Sequence, residues 1–119
     1  MQIKSFCKLV KNTSFITTAT CLAYDKADDC YELMKFRQFR DGWLTREADG
    51  KALIDEYYRI APKIVERIDR LTDAKAVYHA VWEEYLRPCL TMIESGRMAE
   101  CKALYVKMVR DLQKKHLDS

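Results

Sequence analysis

A chain of 119 residues, 49% hydrophobic and 33% charged, is long enough to bury one hydrophobic core without metal or disulfide staples. Three glycines and two prolines leave little material for the turns of an all-β fold. A net charge of +3 is small for this length and disfavours nucleic acid as a partner, because such binders concentrate far more positive charge.

Residues 1–12 alternate only weakly, and Ile3, Phe6, Cys7 and Val10 favour a short helix over an extended arm. Lys4, Lys8 and Lys11 ahead of the apolar run from Phe15 give a faint likeness to a signal peptide. Threonines dilute that run, no small-residue cleavage site follows, and it falls far short of the ~20 residues of a membrane span. The expectation is a cytoplasmic protein with no membrane association. Asn12, Thr13 and Ser14 can cap a short, mostly buried helix over 15–24. Its Thr17, Thr18 and Thr20 need partners: their hydroxyls either bond back to carbonyls of their own helix or line a pocket.

The central stretch is 28–44. Asp28 and Asp29 with Glu32 form a variant of the capping box, predicting a helix start there. At about 100° per residue, Leu33, Phe36, Phe39 and Trp43 share one arc, closed by Leu44. Arg40 projects near the middle of that arc and Arg37 lies on its edge. An unpaired buried guanidinium is costly, so Arg40 must reach a partner such as Asp41, Glu56 or a carbonyl. Two arginines three apart can instead clamp one anion. If Arg40 holds a buried pair, Arg40→Ala should cost roughly 3–5 kcal/mol.

After a polar loop at 46–50, Leu53, Ile54, Tyr57, Ala61, Ile64, Val65, Ile68 and Leu71 keep a helical period across Pro62, where a kink or short break is expected. Tyr57 falls on the apolar stripe and Tyr58 nearer its edge. Thr72 and Asp73 predict another helix start. The stripe that follows reads Tyr78, Trp82, then Tyr85 or Leu86, Cys89 and Ile93, with Pro88 bending it. Ser95-Gly96 is a stop and reversal. A last helix over 97–116 carries Cys101, Leu104, Met108 and Leu112, with basic residues at its end where the helix dipole favours them. The pattern predicts an all-α fold: one domain over 1–119, a compact antiparallel bundle of about five to six helices, its C-terminal part spanning 73–117.

Five cysteines in scattered positions, without a CxxC, predict free thiols and neither a disulfide framework nor a zinc site. Thiol catalysis needs a base, and the two histidines are His79 and His116. His79 could approach Cys21 or Cys30 in space; with Glu83 it also makes a spacing too common to imply a metal. No phosphate loop or glycine-rich fingerprint is present, and no cofactor is implied.

Ser14-Phe15-Ile16, the threonine run, Phe36-Arg37-Gln38-Phe39-Arg40-Asp41, Gly50, Tyr57-Tyr58 and Ala61-Pro62 follow the order and spacing of a known family. Over 14–68 the chain resembles the CFI-box domain, which reads as Cys-Phe-Ile, a Thr/Ala-rich run, L-x-x-F-R-D, a glycine, then Tyr-Tyr before Ser-Pro or Ala-Pro. Ser14 stands where the family has its cysteine. The resemblance implies a compact helical module in a bacterial protein and supplies no catalytic residue.

The leading reading is therefore a non-enzymatic binding or regulatory module. Its groove is expected between the threonine-rich segment and the helix of Arg37, Arg40 and Asp41. Thr17, Thr18, Thr20, Cys21, Cys30, Arg37, Arg40, Asp41, Tyr57 and Tyr58 are its candidate binding residues, and a protein or peptide its partner. Two alternatives stand beside it: a thiol-dependent enzyme or modifying protein using Cys21 or Cys30, and a binder of a small anion or nucleotide using Arg37 and Arg40.

Overall fold

The computed structural model describes residues 15–26 and 30–118. The expectations for residues 1–12, the cap at Asn12, Thr13 and Ser14, and the Asp28-Asp29 start lie outside the described residues. The fold is all-α. Helix α1 is Phe15–Ala23 and α2 is Tyr31–Gly42; a 3₁₀ turn, Leu44–Arg46, leads to α3, Gly50–Asp69. Helix α4, Ala74–Val81, continues through a π-helical turn, Trp82–Leu86, into α5, Arg87–Glu94, and α6 is Met98–His116. Among the described residues no helix is long and apolar enough to cross a membrane.

Short α1 is the hub, packed against α2, α3 and α4. Its Ile16, Thr17 and Thr20 are wholly buried and Cys21 nearly so. Around them Phe36 and Phe39 of α2, Ile60, Ala61, Ile64 and Ile68 of α3, and Tyr78, Val81, Leu86 and Cys89 of the π-bearing rod form one core with Cys101, Met108 and Leu112 of α6. Burying each large aliphatic side chain here contributes about 1.5–3 kcal/mol. The α3 stripe departs from its sequence pattern at Ile60, buried but not on the expected stripe, and at Leu71, which lies past the helix end and is 40% exposed.

Chain reversals follow identifiable chemistry. After α1, Lys26 N–H donates to the Cys21 carbonyl at 2.9 Å and Asp25 N–H to that of Leu22 at 2.9 Å, with Asp25 in the left-handed region at φ 60°. The same pair of bonds closes α5: Arg97 N–H to Met92 O at 2.8 Å and Gly96 N–H to Ile93 O at 3.1 Å, with Gly96 at φ 75°. Helix α4 starts beside Asp73, as its sequence suggests, though the carboxylate makes no capping bond. Helix α2 begins at Tyr31 with Cys30 at the N-cap position. Glu32 of its first turn pairs with Lys26 at 3.3 Å.

Both prolines sit inside helical rods. Helix α3 runs through Pro62 without a break. Pro88 occupies the first turn of α5, directly after the π-helical turn, where Arg87 N–H reaches back to Trp82 O. The register therefore resets just before the residue that cannot donate.

Candidate functional site

The tyrosine pair of α3 lies about 100° apart around the helix and serves two environments. Tyr57 points to α1, where its hydroxyl accepts the Ile16 N–H at 2.9 Å, one of the donors a helix start leaves unpaired. Tyr105 of α6 donates to Tyr57 at 3.3 Å, and Thr17 pairs with Tyr105 at 3.0 Å. Because Tyr105 spends its proton on Tyr57, Thr17 is the donor to Tyr105. Burial, with Tyr105 alongside, holds the Tyr57 phenol well above its usual range; burial pushes Tyr105 up to about 12. Both rings are neutral at physiological pH.

Tyr58 faces α2. Arg40 donates to its hydroxyl at 2.9 Å, and the same guanidinium grips Asp41 through Nε at 2.8 Å and a terminal nitrogen at 3.2 Å. Burial works against the Arg40 charge, yet Asp41 and Tyr58 more than offset it and hold the group more firmly protonated than usual. Phe15 completes the cluster, edge-on to Tyr58 at 5.8 Å and tilted to Tyr57 at 6.3 Å. The fork of Arg40 thus engages Asp41, one of the partners weighed from sequence, and a phenol that was not.

On the outer side of this cluster lies a pocket of about 60 Å³ between α2, α3 and α6. Phe36, Phe39, Leu44, Leu53, Ile54, Val106 and Val109 make its walls with the Tyr57 and Tyr105 rings, and Arg40, Glu56, Lys102 and Arg110 stand around it. The rim charges are cross-linked: Arg110 to Glu56 at 3.0 Å, and Lys102 to Asp49 at 2.7 Å and Glu47 at 3.4 Å. These bonds tie α6 to α3 and to the loop before it.

Of the residues singled out from sequence, Arg40 and Tyr57 line the pocket, while Thr17, Asp41 and Tyr58 back it through hydrogen bonds. Arg37, Thr18, Thr20, Cys21 and Cys30 are not in its lining. Thr17 and Thr20 turn into the core. Thr20 bonds back to Ile16 O at 2.7 Å, the helical alternative foreseen for it. The Thr18 hydroxyl oxygen is buried with no hydrogen-bond partner among the described residues. Tyr105, Val106, Lys102 and Arg110 were missed. Tyr105 could have been found, since it lies four residues after Cys101 and so on the same helix face.

The described cysteines are free thiols. Burial, with Cys30 alongside, pushes the Cys21 thiol up to about 12. Cys89 points its thiol at the Cys101 carbonyl at 3.8 Å. His79, considered as a base for Cys21 or Cys30, is engaged by Tyr24, whose hydroxyl meets its Nδ1 and whose ring packs on it. Searches of family models, curated proteins and solved structures find nothing that matches this chain.

Proposed function

We propose that the chain is a non-enzymatic binding module of the CFI-box type, whose α2–α3–α6 pocket receives one apolar side chain of a protein or peptide partner. The pocket itself carries this reading: apolar walls, a charged rim and about 60 Å³ of space. Sites for drug-sized ligands and cofactors run to roughly 300–1,000 Å³, whereas an interface anchor fills a small, desolvated pocket. The volume favours an anchoring leucine- or methionine-sized group over a nucleotide or other cofactor.

The surrounding chemistry supports binding over catalysis. A general acid or base works best with a pKa near the operating pH, and the phenols at this site are pushed away from neutrality. Arg40, Lys102 and Arg110 are each held by a carboxylate, a fixed polar rim around an apolar centre. The family resemblance gains support from the packing of its own residues: Phe15 on Tyr57-Tyr58, Arg40 on Asp41 and Tyr58, and Gly50 under the Leu44 carbonyl.

The test is selection from a displayed library of short random peptides, followed by fluorescence polarisation with the selected sequences. Peptides sharing one large apolar residue should emerge. Val106→Trp, which fills the pocket from a half-buried position, should abolish their binding while leaving the circular dichroism spectrum and urea midpoint near wild type. Selected peptides that bind this variant as tightly as wild type, or a library that yields none, would overturn the reading.

A further inference from the structure

Three cations, Arg40, Lys102 and Arg110, line the α2–α3–α6 pocket with one carboxylate, Glu56. Asp41, Glu47 and Asp49, which hold the first two cations, are not in the lining, so the wall itself carries more positive charge than negative. The cations differ in how far the fold uses their donors. Arg40 is 13% exposed and turns its fork to Asp41 and Tyr58. Lys102 is 22% exposed and spends two of its three N–H donors on Asp49 at 2.7 Å and Glu47 at 3.4 Å. Arg110 stands apart. Its side chain is 52% exposed, and among the described residues one bond, from a terminal nitrogen to Glu56 at 3.0 Å, uses one of its five N–H donors. Arg110 follows Val106 by one helical turn, and both belong to the α6 wall of the pocket.

Resting on the reading of this pocket as a receptor for one apolar side chain, we infer that Arg110 sets its specificity: the partner carries an acidic side chain beside its apolar anchor, and the Arg110 guanidinium takes that carboxylate with the donors Glu56 leaves. A guanidinium is planar and presents donors on more than one edge, so it can hold two carboxylates at once, one of them through two parallel bonds. Glu56 keeps one terminal nitrogen, and the partner's acid takes an edge that remains. Such a pair contributes little on an open surface, but a partner seated over the pocket displaces water around it, and the attraction strengthens as the local dielectric falls. The acid comes from a side chain and not from a chain terminus. Terminal carboxylates are captured by clusters of free backbone amides, whereas the α2, α3 and α6 walls are helix interiors whose amides serve their own helices.

The probes are fluorescein-labelled peptides from the display selection, amidated at the C-terminus and made in pairs, one with Asp or Glu near the anchor and one with Asn or Gln in its place. Acidic residues within about four positions of the anchor should recur among the selected sequences. At low ionic strength the acidic member of each pair should bind wild type about two- to tenfold more tightly in fluorescence polarisation. That margin should shrink in ~0.5 M sodium chloride. Arg110→Gln should bring the acidic peptide to the affinity of its neutral twin and leave the neutral peptide unchanged. Arg110→Lys, which keeps the charge without the fork, should retain part of the margin, and Lys102→Gln most of it. Selected peptides without acidic residues, pairs of equal affinity, Arg110→Gln weakening both members alike, or a margin lost in Lys102→Gln and kept in Arg110→Gln would each overturn the inference. So would a neutral peptide with a free C-terminal carboxylate that matches its acidic twin. If the peptides still bind wild type and fail on Val106→Trp, these outcomes remove the acid alone and leave the apolar pocket standing; a library that yields no peptide removes both.

Discussion

Arg40 and Asp41 are sequence neighbours, and adjacent helical positions do not ordinarily face each other. Their two-bond contact requires the Arg40 side chain to curl back, and it does so while only 13% exposed, against 65% for Asp41. That asymmetry sets the energetics. Removing Arg40 leaves Asp41 in water, which resolvates it, so the 3–5 kcal/mol of a wholly buried pair does not apply. Among the described contacts, what is lost is the bond to the Tyr58 hydroxyl, the packing of the stem, and a pair on the order of 0–1 kcal/mol. Arg40→Ala should therefore destabilise by about 1–2 kcal/mol in urea denaturation, with Arg40→Lys in between, since lysine keeps stem and charge but not the planar fork. A loss above about 3 kcal/mol would show that Arg40 supports a buried charge. Unchanged midpoints for both variants would show that it supports nothing in the fold.

At the level of elements, the 3₁₀ turn and the start of α3 are locked by a close approach. A methyl group on Gly50 would sit 1.8 Å from the Leu44 carbonyl oxygen, which already accepts the Glu47 N–H at 3.0 Å. The obstacle is backbone and cannot rotate away, so Gly50→Ala should cost roughly 1–3 kcal/mol. Gly42→Ala is the control: nothing lies within 4 Å of its added carbon, and removing a helical glycine should stabilise by about 0.5–1 kcal/mol. Equal urea midpoints for the two variants would refute the steric account. The same elements show what the sequence makes legible. Apolar residues at a period near 3.6 give every described helix, and Ser95-Gly96 gives its reversal. The undecided choice between Tyr85 and Leu86 was itself a signal: Tyr78, Val81, Leu86, Cys89 and Ile93 are all buried, and the five-residue step from Val81 to Leu86 is the extra residue of the π-helical turn. Tyr85, displaced from the stripe, bonds Asp111 instead. Arg40, Asp41, Tyr57 and Tyr58 stand out in the sequence because each belongs to a short local motif, but the bond from Arg40 to Tyr58 does not, because it forms only when α2 and α3 pack. The pocket does not either, because Leu53 and Val106 become neighbours only when α3 and α6 pack, and helical periodicity carries no information about which faces meet.

Across the whole molecule, phenol hydroxyls join elements distant in sequence. Tyr57 and Tyr105 tie α3 and α6 to α1, Tyr78 ties α4 to Asp69 at 2.7 Å, and Tyr85 ties the π-helical turn to Asp111 on α6 at 2.7 Å. Burial is the first cause in each case, and all four phenols are held above their usual range, Tyr85 and Tyr105 at about 12. The sign of the consequence is fixed by linkage. A phenol of raised pKa keeps its proton in the folded chain after the unfolded chain, with a phenol pKa near 10, has lost it. Its contribution is complete below pH 10 and is lost as pH rises towards 12. Cys21, at about 12 against an ordinary thiol value of about 9, acts in the same direction from a lower pH. Stability should therefore start to fall near pH 9 and drop more steeply above pH 10, followed by urea midpoints at constant ionic strength with reductant present. Lys102, also raised by its bond to Asp49, adds to the fall and has to be separated from the phenols. Tyr105→Phe makes that separation, because it keeps the ring and removes only the ionisable group. At neutral pH the variant should be less stable than wild type, having lost the bonds to Thr17 and Tyr57; between pH 10 and 12 the gap should narrow as wild type loses what the variant never had. A gap that stays constant over that interval would show that the Tyr105 phenol ionises alike in the folded and unfolded chain, and that the buried hydroxyl network does not set the alkaline limit of this fold.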